Sequence, residues 1–199
     1  MKVSKLQAAA HRDAMLDAAA RLYLERGLVG AGVAEISAEA GLTHGGFYGH
    51  FASKQALAAE ACTRAFQRSL QRMIDEAGKH HGDLLPALRT YLSADHRDGI
   101  GTVCPAPALS AEAARLAGPV PEAFAGGIAG LLQQLAWKRP GGADAGELDE
   151  TDKQRAVETL ATLVGGIVLA RATAEAMPAL SDEILERLRA RLAQDWRPA

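Results

Sequence analysis

Side chains that can hydrogen-bond to phosphate are concentrated in one short stretch, "GLTHGGFYGHFASKQAL", residues 41–57. On a helix with about 100° per residue, Phe47 and Phe51 share one side. Gly45 and Gly49 share the opposite side, with Gly46 beside them. Interior glycines weaken a helix by about 1 kcal/mol each, so three so close together need a reason. The pattern predicts a helix that is buried on one face and bare on the other.

A bare outer face lets a helix bring its backbone close to a partner, and a DNA major groove is wide enough to admit a helix. Tyr48 and His50 flank the glycines and can donate hydrogen bonds to phosphates on either side of a groove. His44 lies at the leading end of the helix, where base edges are reached, and Lys54 follows at the start of the next helix. We interpret the stretch as a DNA-reading helix. The alternative is a loose surface turn in which glycine is merely tolerated.

The neighbouring elements have the spacing of a helix-turn-helix. Apolar periodicity predicts helices over residues 7–26 and 33–40, which Gly27 and Gly41 end, and Thr43 and Ser53 can cap the next two. Further helices are predicted over residues 53–79, 84–96, 105–116, 122–138, 152–177 and 181–196. No period-two alternation interrupts them. The sequence therefore predicts an all-α chain of about nine helices, with a helix-turn-helix DNA-binding domain over residues 1–52. A larger effector-binding and dimerisation domain is predicted over residues 53–199.

Composition limits the classes of protein that this chain can represent. The 199 residues are 48% hydrophobic and 23% charged, as in ordinary soluble domains, and no segment looks long and apolar enough to span a membrane. The net charge of −2 excludes a polybasic nucleic-acid binder, so any DNA contact must depend on the placement of a few groups. Two cysteines do not form a disulfide framework, which favours a cytoplasmic setting.

Residues 9–57 resemble the N-terminal domain of the TetR/AcrR family of bacterial transcriptional regulators. The matching segments are "AMLDAAARLYLERG" and "VAEISAEAGLTHGGFYGHFASKQAL". The resemblance implies a homodimer that binds a palindromic double-stranded DNA operator, usually as a repressor that a small molecule releases. It implies DNA contacts from Thr43, His44, Gly45, Gly46, Tyr48, His50 and Lys54. Two positions depart from the family pattern, because many members carry Thr or Ser at Gly32 and a bulky residue at Gly49.

Cys104 is the candidate for regulation by cysteine modification. It stands in "GTVCPAPALSAEAARL", where Pro105 can be the first helical residue and Cys104 the cap. A helix N-terminus stabilises a thiolate. The segment also resembles the "GC…LSAE" region of TetR-like regulators that sense electrophiles or oxidants through a cysteine. The alternative is an inert small hydrophobic residue, which is also how we interpret Cys62.

The family resemblance also implies a ligand pocket among the helices that follow the DNA-binding domain. Its candidate lining is aromatic: Phe66, Tyr91, His96, Phe124 and Trp137. For each of these residues an ordinary core position is the alternative.

The last two long helices are candidates for a dimer interface, because two apolar helices from each subunit would form a four-helix interface, as in the family. The candidate residues are Val164, Gly165, Ile167, Val168, Leu185, Leu188 and Leu192. The alternative is that these residues form core within one chain.

Catalytic chemistry has little support in the sequence. We find no phosphate loop, nucleophile elbow or paired-carboxylate motif, and we predict no cofactor. His80, His81 and Asp83 could suggest a metal, but adjacent histidines rarely make a full site, so a solvated turn is favoured. A DNA-binding regulator gated by a small molecule or by cysteine modification fits every segment. An ungated DNA-binding protein, whose C-terminal part only dimerises, is the alternative, and an enzyme is the least favoured class.

Overall fold

The computed structural model describes residues 4–137 and 149–196. Within these ranges the chain forms ten α-helices and one 3₁₀ turn (Ile100–Thr102), without a strand. The helices are α1 (Lys5–Gly30), α2 (Val33–Glu39), α3 (His44–Phe47), α4 (Lys54–Lys79), α5 (Leu85–Tyr91), α6 (Ala94–Asp98), α7 (Pro105–Ala113), α8 (Pro119–Trp137), α9 (Glu150–Thr173) and α10 (Pro178–Asp195). The predicted all-α class is confirmed.

The helix boundaries follow local signals in the sequence. Ser53 caps α4 by accepting a hydrogen bond from the Ala56 N–H at 3.0 Å, and Gly41 ends α2 with a φ of +71°. The helix predicted over residues 84–96 is divided in two, because the Ser93 side chain accepts from the His96 N–H at 3.2 Å and starts α6. This break accounts for the tenth helix.

Helix α1 is bent near its end. Gly27 has φ +80° and ψ 167°, outside the helical region, and one further helical turn follows it up to Gly30. A left-handed φ of this kind favours glycine, so the predicted end at Gly27 is a kink after which the helix resumes.

The chain divides into two compact units. The first contains residues 1–67 and 101–127, and the second contains residues 68–100 and 128–199, so α4 and α8 each contribute to both. The sequence-based boundary between residues 52 and 53 stays a prediction about function.

The first unit is built around buried apolar residues of its helices. Leu16 and Tyr23 of α1, Ile36 of α2, Phe47 of α3 and Leu57 of α4 are all nearly inaccessible to solvent. Helix α1 contacts both α2 and α7. The two short helices α2 and α3 are therefore held on a support that α1 provides, because α2 contacts both α1 and α3.

In the second unit α9 packs along α10, and α6 also packs on α9. Gly166 permits the close approach of α10, because a Cβ there would lie 2.6 Å from Leu188 Cδ1. Arg171 of α9 donates hydrogen bonds to the carbonyls of Arg97 and His96, at 2.7 and 3.1 Å. These contacts tie three helices together.

Helix α9 corrects one expectation from composition. Among the described helices it is long and apolar enough to cross a membrane, whereas no such segment was predicted. Leu163, Ile167 and Ala170 of this helix are fully buried in the protein, whereas Val157, Val168 and Leu169 are exposed, so α9 packs on the protein with one side only.

Candidate DNA-binding surface

Helix α3 is a single turn, so the predicted helix is shorter than expected: Gly49 lies in the turn that follows it, and Phe51 comes directly after that turn. Phe47 and Phe51 are buried, as predicted, and their rings stack with centroids 5.7 Å apart. Helix α2 contacts α3, and its Ile36 is fully buried. Because both aromatic side chains point inward, the opposite side of α3 is directed to solvent.

The outer side of α3 is bare backbone with room around it. A Cβ at Gly45 would meet nothing within 4 Å, and at Gly46 it would meet only Thr43 Oγ1 at 3.8 Å. At Gly49 it would lie 3.4 Å from the Gly46 carbonyl oxygen, which is an ordinary contact. None of the three has a positive φ. The packing of the chain itself therefore gives no reason for glycine at these positions.

Polar groups border this bare face. Tyr48 is 66% exposed, and the Phe47 ring meets its ring edge-on at 5.0 Å. His50 is half-buried, with its ring 6.3 Å from that of His11 on α1. Thr43 is exposed, and its side chain makes no capping hydrogen bond. His44 starts α3, but its side chain lies outside the described part of the structure.

Lys54 lies at the first position of α4, and its Nζ donates to the Val29 carbonyl at 3.4 Å. This bond joins the start of α4 to the last turn of α1. Sequence reasoning missed this contact and the His11–His50 contact, because each spans more than twenty residues and leaves no local pattern.

Acidic partners offset much of the positive charge around the helix-turn-helix. Arg21 pairs with Glu25 at 2.7 Å and with Glu39 of α2 at 2.5 Å, and Arg26 pairs with Glu35. The surface is therefore not a strong general attractor of phosphate, in line with the modest charge of the sequence.

Gly32 is the N-cap of α2 and provides no side-chain capping bond. A Cβ there would meet nothing within 4 Å, so the larger Thr or Ser expected from the resemblance would fit. Glycine at position 32, in place of Thr or Ser, therefore removes a hydroxyl group from the helix-turn-helix without improving the packing.

Cys104 is the N-cap of α7, followed by Pro105, as the sequence suggested. Its side chain is fully buried. Cys62 is also buried, and burial raises the pKa of the Cys62 thiol to about 11. The Cys62 thiolate is therefore suppressed at neutral pH.

The residues of the predicted ligand pocket form two pairs. Phe66 and Phe124 meet edge-on at 4.9 Å in the first unit, and Tyr91 and His96 stack at 4.2 Å in the second. The Trp137 side chain lies outside the described part of the structure. Aromatic packing thus explains each pair, and the ligand pocket stays a prediction.

His96 is held in an environment that disfavours its charged form. Burial, followed by the charges of Arg171 and Arg72, lowers the pKa of His96 to about 4. Its Nε2 atom is buried and meets no hydrogen-bond partner among the described residues.

The residues predicted for a dimer interface have different degrees of burial. Ile167, Leu185 and Leu192 are buried within the chain, and Leu188 packs close to Gly166. Val164 and Gly165 are half-buried and Val168 is 43% exposed. Val157 and Leu169 of α9 are exposed as well, and neither was part of the predicted set. Only the exposed part of the set is available to a second copy.

His80 and His81 lie in the turn after α4, where His81 has a φ of +56°. Over residues 4–137 and 149–196, no three His, Cys, Asp or Glu side chains cluster as metal ligands would.

Comparison with known proteins matches the N-terminal segment. Residues 15–61 fit the family model "Bacterial regulatory proteins, tetR family". The chain is 33% identical over 91 residues to YerO of Bacillus subtilis, an uncharacterized HTH-type transcriptional regulator. The match covers 44% of this chain and spans about a third, 32%, of that relative.

Two solved structures share the fold over nearly the whole chain. A TetR-family regulator from Cytophaga hutchinsonii has a TM-score of 0.74 at 22% identity, covering 98% of each chain. The reduced form of Escherichia coli NemR has a TM-score of 0.73 at 24% identity, covering 92% of this chain and 95% of that one. At these identities the likeness establishes the fold of the whole chain, and the family match concerns its first third.

Proposed function

We propose that this protein is a homodimeric transcriptional regulator that binds a palindromic DNA operator through α3. The premise is that residues 15–61 are a TetR-family helix-turn-helix segment. One observation carries the proposal. Helix α3 is anchored by Phe47 and Phe51 and directs a glycine face, open to solvent and bordered by Tyr48, away from the protein.

The glycines of α3 support a partner that approaches closely. Alanine would fit at Gly45 and would strengthen the helix, so the folded chain alone does not favour glycine there. A DNA groove does favour glycine at this position, because side chains on that face would hold the backbone away from the bases. The N–H and C=O groups of α3 could then lie near the floor of the groove.

The bordering groups have roles that follow from their chemistry. Tyr48, His50 and Thr43 carry hydrogen-bond donors suited to phosphate oxygens, and Lys54 adds a cation. His44 is assigned to base edges, together with the backbone of Gly45 and Gly46. With so few side chains at the bases, much of the selectivity would come from DNA shape.

Helix α9 supports a two-fold assembly. Val157, Val168 and Leu169 are exposed, and Val164 and Gly165 lie along the same surface of the helix, half-buried. Soluble monomers rarely expose a contiguous apolar stripe. A second copy facing this stripe would cover it and would give the protein the symmetry of a palindromic site.

The substitution Val168→Asp tests the dimer. A carboxylate buried in an apolar interface is costly, so the dimer dissociation constant should rise by about 100-fold or more. Light scattering after size exclusion at micromolar concentration should give a monomer for Val168→Asp and a dimer for Ile74→Asp, which changes another exposed apolar residue. A wild-type monomer would contradict the proposed assembly.

We further propose a repressor that a small molecule or modification of Cys104 releases from DNA in the cytoplasm. The position of Cys104 at the start of α7 supports the second route, because α7 contacts α1 of the DNA-binding segment. The protein can be treated with mild hypochlorite or a quinone and analysed by mass spectrometry. Modification of Cys104, with Cys62 unmodified and operator affinity lost, is the expected result. Loss of affinity in Cys104→Ser under the same treatment would contradict a role for Cys104.

Fluorescence anisotropy tests DNA binding itself. The protein is titrated onto duplex DNA from upstream of its own gene, or onto a duplex selected from a random library, and onto a scrambled control at several salt concentrations. We expect a preference of roughly several-hundred-fold and a steep loss of affinity with salt. Equal and weak binding to the selected and scrambled duplexes would contradict the proposed function.

A further inference from the structure

We propose that Glu112 is a positioning residue that transmits the state of α7 to the helix-turn-helix, an inference that rests on the proposed function. Glu112 belongs to the last turn of α7, and its Oε2 accepts a hydrogen bond from the Leu28 backbone N–H at 2.8 Å. This bond joins two points of the chain 84 residues apart.

The kink of α1 provides a seat for the Glu112 carboxylate. Gly27 leaves the helical conformation, so the N–H of Leu28 is available to a side-chain acceptor. A Cβ at Gly27 would overlap the Glu112 carboxylate, at 2.9 Å from its Oε2. The φ of +80° favours glycine at position 27, and the Glu112 carboxylate occupies the space that a side chain there would fill.

A second contact joins the same two regions of the first unit. A Cβ at Gly101, in the 3₁₀ turn that precedes α7, would lie 2.5 Å from Glu25 Oε1 on α1. The segment around Cys104 therefore touches α1 before its kink through Gly101, and it touches the kink itself through Glu112.

The kinked end of α1 is in turn joined to the DNA-binding helices. Arg21 and Arg26 pair with Glu39 and Glu35 of α2. Leu28 is buried, and the carbonyl of the neighbouring Val29 accepts a hydrogen bond from Lys54. Leu28 lies between Arg26 and Val29 in the chain, so a shift of the backbone there would act on the Arg26–Glu35 pair and on a predicted phosphate-binding lysine.

Helix α7 can carry a displacement over this distance because a helix moves as a rigid element. Cys104 and Glu112 are eight residues apart, about two turns and roughly 12 Å along the axis. A change at the Cys104 end that tilts α7 would pull the carboxylate from the Leu28 N–H. While its bond to Leu28 is intact, Glu112 keeps the last turn of α1 in the orientation that binds DNA.

Three variants test this role: Glu112→Ala, Glu112→Gln and the control Glu122→Ala, which removes an exposed glutamate from α8. Operator affinity is measured by anisotropy well below the melting temperature. Amide hydrogen exchange is measured with and without operator DNA. We expect Glu112→Ala to speed exchange at Leu28 and to weaken operator binding by about tenfold. Glu112→Gln, which keeps an acceptor oxygen, should have a smaller effect, and Glu122→Ala should behave as wild type.

A second measurement distinguishes coupling between α7 and the DNA-binding surface from a simple gain in stability. If the two are coupled, DNA binding must also change α7, because coupling between two sites acts in both directions. In the wild type, operator DNA should slow exchange in α7, and in Glu112→Ala this response should be lost. Unchanged operator affinity, or an α7 response that persists without the carboxylate, would overturn the role of Glu112 alone. Failure of the wild type to prefer the operator over scrambled DNA would overturn the proposed function as well.

Discussion

The outer face of α3 and the interior between α4 and α8 both contain glycine, but in opposite surroundings. A Cβ at Gly45 would meet open space, whereas a Cβ at Gly127 of α8 would overlap the Phe66 ring of α4. Gly127 is therefore explained by contacts within the chain. The glycines of α3 have no such explanation, so the reason for them lies in a partner that is not part of the folded chain.

The largest effect is expected at Gly127 of α8, with the exposed neighbour Gly126 as the control. Gly127→Ala should lower the free energy of unfolding by about 1–3 kcal/mol, because the new methyl group displaces a buried aromatic ring. Gly126→Ala, where a Cβ meets nothing within 4 Å, should leave stability unchanged or raise it by about 0.5–1 kcal/mol. Urea unfolding at one protein concentration measures both. Equal changes in the free energy of unfolding for the two variants would contradict close packing of Gly127 against the Phe66 ring.

The second unit contains His96, a histidine whose protonated form is disfavoured in the folded protein. The pKa of His96 falls from 6.5 to about 4, so between these values the unfolded chain binds more protons than the folded one. Stability should therefore fall as the pH is lowered through this window, by about 2 kcal/mol between pH 7 and pH 5 from this residue. Urea unfolding at the two pH values measures the loss. The substitution His96→Gln should flatten the curve, and an equally steep curve in that variant would assign the effect to other groups.

A smaller effect is expected at the border of the α3 face. Tyr48→Phe removes one hydroxyl group from an exposed side chain and leaves the ring contact with Phe47 in place. Operator binding should weaken by roughly threefold to tenfold, the worth of one hydrogen bond. The melting temperature should not change. Anisotropy and thermal unfolding of the same samples check both statements, and wild-type affinity would remove Tyr48 from the DNA-binding surface.

The sequence was sufficient to predict the elements of the helix-turn-helix. Phe47 and Phe51 four residues apart, Gly41 before the turn and Ser53 as a cap are local signals, and the structure has each of them in the predicted role. Local spacing was enough because each role depends on residues within one or two turns.

Sequence reasoning could not resolve contacts between distant parts of the chain. Helix α9 is apolar on several sides, so periodicity identified Ile167 and Val168 together, although the first is buried and the second exposed. The bond between Glu112 and Leu28 joins residues that are 84 positions apart in the sequence. Such positions depend on which face of each helix packs inward, and a single sequence does not encode that in its spacing.

The most direct test of the role of α3 compares alanine at two open glycines, Gly45 on α3 and Gly126 on α8, in one anisotropy titration on the operator duplex. Both substitutions add one methyl group at a position where the folded chain has room for it. If α3 enters the groove, Gly45→Ala should weaken binding by about tenfold, or about 1.4 kcal/mol, without loss of stability, and Gly126→Ala should bind as wild type does. Wild-type affinity in Gly45→Ala would contradict a DNA-facing role for the bare face of α3.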